Sequence, residues 1–347
     1  MDERRRSDTR NRAFAACVGV VFLLAVLSTS ARAEDALPAP RRDGLPTVLV
    51  PVGQAIGVKL FADGVLVVKL SEGDTPAKAS GLRAGDVVTS FNGTEIESTE
   101  HLLRLIAENG EAQAAMSVRR GAGTLTLRVT PAEGEDGVCR LGAWIRDSMA
   151  GIGTMTFYDP ETGLFGALGH GVTDVDTGAL MPLERGGIME ASVKAVKRGE
   201  RGAPGELRGD FDLTHDCGTL CANTECGVFG ALTDTTGVGA LRGPVPVAAG
   251  SAVHPGPATI LANCGGSEVK EYAVEIERVY GGGATRNFLL RVTDEALLAC
   301  TGGIVQGMSG SPVLQDGKFV GAVTHVLVND AARGYGIFLE NMLRAAG

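Results

Sequence analysis

The chain has 347 residues, 44% of them hydrophobic, so it is long enough to bury the cores of about two domains. Its high glycine content and its few aromatic residues (5%) favour a turn-rich, mostly β protein over a helical bundle. The net charge is −9 and basic residues are not concentrated in the body of the chain, which argues against nucleic acid as a partner.

The N-terminus has the features of a secretory signal. Arginines are frequent in residues 4–12, residues 13–29 are apolar or small, and Ala31-Arg32-Ala33 forms an A-x-A cleavage site. The apolar run is about 17 residues, at the short edge for a membrane span, so residues 1–33 are either a cleaved signal peptide or a retained signal-anchor. Both alternatives predict that the rest of the chain is exported, after a proline-containing linker at residues 34–50.

Residues 51–131 carry the pattern of a small first domain. Two short strands are expected at 56–61 and 64–70. Next come a helix that opens at Thr75-Pro76-Ala77, a strand at 87–91, an Asn92-Gly93 turn and a second helix that begins at Ser98 or Thr99 and ends before Gly110. This arrangement resembles the bacterial PDZ domain.

The PDZ resemblance implies peptide binding by β-strand addition. It places the carboxylate-binding loop at residues 54–57 and the pairing strand directly after it. The expected peptide-binding residues are therefore Ile56, Gly57, Val58, Lys59 and Leu60. The expected partners are peptide C-termini or the protein's own chain, and the alternative is a packing or regulatory module without a free groove.

An acidic joint with proline and glycine separates this domain from residues 137–347, a suitable size for a two-barrel peptidase. A strand, a turn and a second strand over residues 152–168 are followed by His170 among glycines, where a general base could lie. His325, in an apolar strand, is the second candidate base.

Six cysteines follow the signal, and an even number in an exported chain makes disulfides plausible. His215 with Cys217, Cys221 and Cys226 also looks like a metal-ligand cluster, but the spacing does not match the common zinc patterns. No metal and no cofactor are expected, and a metal-dependent hydrolase built on His215 is kept as an alternative.

Ser309 is the predicted nucleophile, because it lies in a glycine-rich stretch, Gly307-Met308-Ser309-Gly310-Ser311-Pro312. The backbone N–H groups of Gly307 and Ser309 are the expected oxyanion hole. A β-hairpin around Asp316-Gly317 follows, whereas the nucleophile elbow of α/β-hydrolases leads into a helix. The context therefore favours a chymotrypsin-like peptidase, in which His170 precedes Ser309.

The acid that would complete a triad is not determined by the residues alone. Two candidates follow His170 closely, two lie in the middle of the domain and one lies before the serine motif: Asp174, Asp176, Asp210, Asp212 and Asp294. The spacing found in chymotrypsin-like enzymes favours the middle pair.

Several motifs in order resemble the SpoIVB peptidase family. They are Arg146 to Pro160, Gly166 to His170, Asp174 to Gly178, Thr301 to Pro312 and Gly321 to Val326. The resemblance implies a mostly β fold with an N-terminal PDZ domain followed by a chymotrypsin-like double β-barrel serine peptidase domain. Carried over by position, it makes Ser309 the nucleophile, His170 the base and Asp294 the proposed third member.

The resemblance also implies a biological role. Members of that family are exported serine endopeptidases of endospore-forming bacteria that act between forespore and mother cell, cut themselves, and cleave a membrane-tethered inhibitor of an intramembrane protease, which then releases a late sigma factor. The cysteines at 217–226, and Gly171 in place of a larger apolar residue, depart from the family pattern. The alternative function is a non-catalytic PDZ signalling adaptor with a decayed peptidase barrel.

Overall fold

The structure is a computed structural model that describes residues 46–212, 214–234 and 243–347. The predicted signal and most of the predicted linker lie outside the described residues. Among the residues described, no helix is long and apolar enough to cross a bilayer. The helices are α1 (Pro76–Ala79), α2 (Thr99–Asn109), α3 (Glu295–Thr301) and α4 (Leu339–Ala345).

Twenty-one strands make up most of the described chain. They are β1 (Val48–Pro51), β2 (Ala55–Leu70), β3 (Val87–Phe91), β4 (Thr94–Glu95), β5 (Ala114–Arg120), β6 (Gly123–Val129), β7 (Ala132–Glu133), β8 (Cys139–Arg140), β9 (Ala143–Tyr158), β10 (Leu164–Ala167), β11 (Arg185–Lys197), β12 (Glu206–Phe211), β13 (Gly218–Thr224), β14 (Gly227–Leu232), β15 (Val245–Pro246), β16 (Gly256–Asn263), β17 (Val269–Val279), β18 (Phe288–Val292), β19 (Pro312–Gln315), β20 (Lys318–Leu327) and β21 (Asp330–Phe338).

The first barrel is closed by six strands in the order β9-β10-β14-β13-β11-β2, because β2 also pairs with β9. Its interior is filled by apolar side chains that alternate along the strands, as expected where one face of a sheet is buried. The core includes Val52, Ile56, Val58, Met155, Phe165 and Ile188.

The second barrel is closed by β16-β17-β18-β21-β20-β19. Its core is built from branched aliphatic residues and one large aromatic ring, and it extends to side chains of the first barrel such as Val193. The main members are Ile260, Val274, Phe288, Leu290, Val313 and Val323. The two barrels therefore share apolar contacts.

The PDZ domain consists of α1, α2, β3 to β6 and the C-terminal half of β2. Helix α2 buries Leu102 and Ile106 against Phe91 and Met116, and the Ser98 hydroxyl accepts a hydrogen bond from the His101 N–H (3.1 Å), which caps the helix as predicted. In the chain, this domain lies between β2 and β9, which are both strands of the first barrel.

Strand β2 differs from its prediction. The two short strands expected at 56–61 and 64–70 form one 16-residue strand, in which the pairing with β9 shifts between Phe61 and Leu66. Gly64, at φ +93°, lies at this irregularity. Residues 51–61 thus belong to the barrel, although the predicted PDZ domain begins at residue 51. The predicted fold class itself is confirmed.

Candidate active site

The predicted nucleophile and the predicted base lie where the two barrels meet. His170 follows β10 of the first barrel, and Ser309 precedes β19 of the second barrel. On β20, Thr324 lies against Ser309, and the next residue, His325, lies against His170. The Ser309 hydroxyl donates a hydrogen bond to the Thr324 carbonyl (2.6 Å), and the His325 ring centroid is 4.9 Å from that of His170.

The serine loop is held by backbone hydrogen bonds on both sides. The Gly310 N–H donates to the Val323 carbonyl (2.8 Å), and the Ser309 carbonyl accepts from the Thr154 N–H (3.1 Å). A Cβ at Gly310 would lie 2.2 Å from the Thr154 carbonyl oxygen, so only glycine fits, and its φ of +98° favours glycine as well. The loop is thus in close contact with β9.

The N–H groups of the predicted oxyanion hole belong to Gly307 and Ser309. Neither the Gly307 N–H nor the Ser309 N–H donates a hydrogen bond to another residue of the described part of the chain. Gly307 and Ser309 are both half-buried. N–H groups that are not committed to another acceptor are what an oxyanion hole requires.

His170 is prepared to act as a base. Its Nδ1 lies 2.8 Å from the Gly171 carbonyl, and since a carbonyl can only accept, Nδ1 carries the proton and Nε2 is left basic. Burial lowers the pKa of His170, and the hydrogen bond to Gly171 opposes this shift in part. The ring is therefore neutral at neutral pH. Leu168 just before it has φ +70°, a strained conformation of the kind found near functional sites.

His325 is less suited to be the base. Its pKa is lowered to about 4, first by desolvation and then by His170 and Arg286. A group with so low a pKa is a weak proton acceptor at neutral pH. The structure thus keeps His325 next to the base as a neutral ring.

The Asp294 carboxylate is hydrogen-bonded to other residues and not to His170 in this structure. Its two carboxylate oxygens accept from the Leu297 N–H (3.0 Å) and the Ala273 N–H (3.3 Å), which makes it the N-cap of α3. Among the described residues, no hydrogen bond or ion pair joins Asp294 to His170. The sequence did contain the signal for a cap, an aspartate directly before an apolar helix with Glu295 in its first turn.

The other candidate acids are also engaged elsewhere. Asp174 is fully buried; it pairs with Arg146 and accepts from the Thr177 N–H (2.9 Å). Asp212 accepts from the Thr214 N–H (2.9 Å), and Asp210 lies opposite Ser192 in the β11–β12 ladder. Asp176 lies 3.4 Å from Arg146. None of them has a hydrogen bond to His170 within the described chain.

The predicted PDZ peptide-binding strand is wrong. Residues Ile56, Gly57, Val58, Lys59 and Leu60 lie inside the first barrel, where β11 pairs with one edge of the strand and β9 with the other. A peptide cannot be added to a strand whose two edges are occupied. The carboxylate loop expected at 54–57 is part of the barrel too, since Ile56 and Gly57 pair with both β11 and β9, and the Gln54 carbonyl accepts from the Met155 N–H (2.9 Å).

The metal-ligand cluster kept as an alternative does not assemble among the described residues, since no three His, Cys, Asp or Glu side chains converge there. His215 instead lies 3.8 Å from Asp234. Cys217 and Cys226 are buried, and desolvation is the first cause that raises the pKa of each thiol. Buried thiols of raised pKa are poor nucleophiles and poor metal ligands.

Comparisons with known proteins agree with this architecture. The family described as SpoIVB peptidase S55 matches residues 137–343, more than half of the chain, and a PDZ domain family matches residues 67–120. No curated protein has significant sequence similarity to the chain.

Solved structures with similar parts were also found. The PDZ domain of the SdrC-like protein of Listeria monocytogenes is 24% identical and covers 24% of this chain and 87% of its own (TM-score 0.22). The active form of the Rv3671c protease of M. tuberculosis is 17% identical and covers 57% of this chain and 75% of its own (TM-score 0.32). An inactive form of that protease is 16% identical, with coverage of 56% and 82% (TM-score 0.30).

Proposed function

Because the chain belongs to the SpoIVB peptidase S55 family, and is a serine endopeptidase with a PDZ domain, we propose that it cleaves itself and a membrane-tethered regulatory protein in sporulation signalling. The regulatory target is an inhibitor of an intramembrane protease, whose release activates a late sigma factor. The family match carries this proposal, and the N-terminal sequence adds the expectation that the protein acts outside the cytoplasm.

The proposed chemistry uses the residues that lie where the two barrels meet. Ser309 attacks the scissile carbonyl, and Nε2 of His170 takes the hydroxyl proton and returns it to the leaving amine. The N–H groups of Gly307 and Ser309 stabilise the oxyanion. In the structure the Ser309 hydroxyl donates to the Thr324 carbonyl, so the side chain rotates away from Thr324 before proton transfer to His170.

The test of self-cleavage is N-terminal sequencing of the exported protein, wild type against Ser309→Ala. We expect the wild type to carry at least one N-terminus that the variant lacks, and this end identifies the cut site. Identical N-termini in both proteins would refute self-cleavage. Incubation of the purified protein with the membrane-tethered inhibitor then tests the second substrate in the same way.

We also propose that the PDZ domain binds an extended peptide C-terminus, at the edge of β9 rather than at β2. Among described strands, residues 143–149 of β9 pair only with β2, which leaves their other edge free beside α2. The Asp147 carboxylate accepts from the Thr99 N–H (2.7 Å) at the start of that helix, and Leu141 and Ile145 pack on the PDZ core. A free strand edge beside a helix is the setting for strand addition.

Trp144 reports on this edge directly. It is the single tryptophan of the chain, it lies on this part of β9, and it is 67% exposed. Titration with the peptide released by self-cleavage should change the tryptophan emission when the peptide has a free carboxylate and change it much less when the peptide is amidated. Equal responses, or no response to either peptide, would refute binding at this edge.

A further inference from the structure

We propose that Thr154 on β9 is a positioning residue for catalysis, which holds the oxyanion loop, defined here as Gly307–Gly310, in its productive geometry. Nothing in the sequence motifs separates Thr154 from its neighbours. The assignment comes from three hydrogen bonds that converge on this one buried residue, which is 2% exposed.

Two of these bonds reach the oxyanion loop. The Thr154 hydroxyl donates to the Gly307 carbonyl (2.7 Å), and its backbone N–H donates to the Ser309 carbonyl (3.1 Å). These two carbonyls stand on either side of the peptide bond that carries the Ser309 N–H. Anchoring both of them sets the direction of that N–H, which is one of the two oxyanion donors.

The third bond reaches the histidine segment. The Thr154 carbonyl accepts from the Leu168 N–H (3.1 Å), two residues before His170. Gly310 packs against the same Thr154 carbonyl and against Leu168. One residue therefore ties the nucleophile segment of the second barrel to the base segment of the first barrel.

Of the three hydrogen bonds, only the one from the Thr154 hydroxyl to the Gly307 carbonyl can be removed by a side-chain substitution. Valine has the shape of threonine but no hydroxyl, so Thr154→Val leaves the Gly307 carbonyl without its donor while the packing is retained. Serine keeps the hydroxyl and loses only a methyl group. Comparison of the two variants therefore separates the effect of losing the hydrogen bond from the effect of losing side-chain volume.

The chain offers a matched control two residues further along the same strand. Thr156 is also fully buried, and its hydroxyl has no hydrogen-bond partner among the described residues. Thr156→Val thus makes the same chemical change in the same strand without touching the oxyanion loop. We expect it to label like the wild type.

The experiment is saturation labelling of the purified exported protein with a fluorophosphonate probe, which gives the maximal inactivation rate constant kinact and the half-saturating concentration KI. Attack on the probe places a phosphoryl oxygen in the oxyanion hole, so kinact reports on that geometry. We expect Thr154→Val to lower kinact by about 10- to 100-fold with little change in KI, because a small misplacement of a reacting group has effects of this size.

Thr154→Ser should restore most of kinact, and thermal unfolding of all variants shows whether they are folded. Wild-type kinact in Thr154→Val would overturn the proposal. So would a loss that Thr154→Ser does not rescue, or an equal loss in Thr156→Val, since either result points to packing of β9 instead. A wild-type protein that does not label would overturn the nucleophile assignment itself, and with it this proposal.

Discussion

The predicted nucleophile and the predicted base are held in different ways. The oxyanion loop around Ser309 is anchored to two strands, through Thr154 on β9 and Val323 on β20. Within the part of the chain that the structure describes, the His170 ring has one hydrogen bond, to the carbonyl of the next residue, and one ring contact, to His325. The predicted oxyanion loop is therefore fixed by several hydrogen bonds to two strands, whereas the predicted base is aligned by one backbone hydrogen bond and one ring contact.

This difference has a chemical meaning. A backbone carbonyl selects the correct tautomer of the imidazole, but it carries no full charge that would stabilise the imidazolium during catalysis. An aspartate would do both. Among the described residues, the hydrogen-bond partner of the His170 ring is thus a backbone carbonyl and not a carboxylate. Variants of the loop and of the histidine segment can test this difference separately.

The largest effects are expected at the two reacting residues. Ser309→Ala and His170→Ala should each reduce peptide hydrolysis by about 10⁴-fold or more, as in other serine peptidases. The control is His325→Ala, which should lose far less, because a neutral ring of pKa about 4 is a weak base at neutral pH. Rates of casein hydrolysis by the purified protein measure all three. If His325→Ala were inactive and His170→Ala were active, His325 would be the general base in place of His170.

Gly310→Ala tests the packing of the oxyanion loop against β9. The new Cβ would lie 2.2 Å from the Thr154 carbonyl oxygen and 2.6 Å from the Leu168 nitrogen. Both are backbone atoms, so a change of side-chain rotamer cannot relieve the clash. We expect activity to fall by about 100-fold or more as the loop shifts. Gly317→Ala, also at positive φ but with no atom near the added Cβ, is the control for backbone strain alone. Equal activity in the two variants would contradict the close packing.

Asp294 tests whether the base lacks a carboxylate. As an N-cap, aspartate is replaced well by asparagine, so Asp294→Asn should keep most of the activity, and Asp294→Ala should lower the free energy of unfolding by about 1 kcal/mol. Chemical denaturation and casein hydrolysis measure the two effects. A loss of about 10⁴-fold in Asp294→Asn, as found for a triad aspartate, would instead support the role implied by the family resemblance.

The smallest effect is a displacement of the pH profile. Labelling should rise with pH as His170 loses its proton, and because burial lowers its pKa, the midpoint should lie below the ordinary value of 6.5. Unfolded histidine binds its proton at a higher pH than buried His170 or His325, so stability should also fall as the pH drops below 6.5. A midpoint above 6.5 would indicate a carboxylate beside the ring.

The sequence was sufficient for the fold class, and it predicts Ser309 and His170, which the structure brings to one place. Both residues lie in glycine-rich motifs whose chemistry is local. The strand pairing of β2 could not be predicted, since Asp63-Gly64 is typical of a hairpin turn and only the register with β9 makes the strand continuous. Thr154 was missed for a similar reason, because its partners in the oxyanion loop are more than 150 residues away in the chain.

The position of the PDZ domain between β2 and β9 has a consequence for how the protein can be divided. A shortened chain that starts at residue 137 lacks β1 and β2, and β2 is the strand that closes the first barrel between β11 and β9. Such a fragment has an open sheet in place of a barrel and exposes apolar edges. By the same logic, a cut in the joint at residues 131–137 nicks the protein without freeing its halves, since β2 stays paired on both sides.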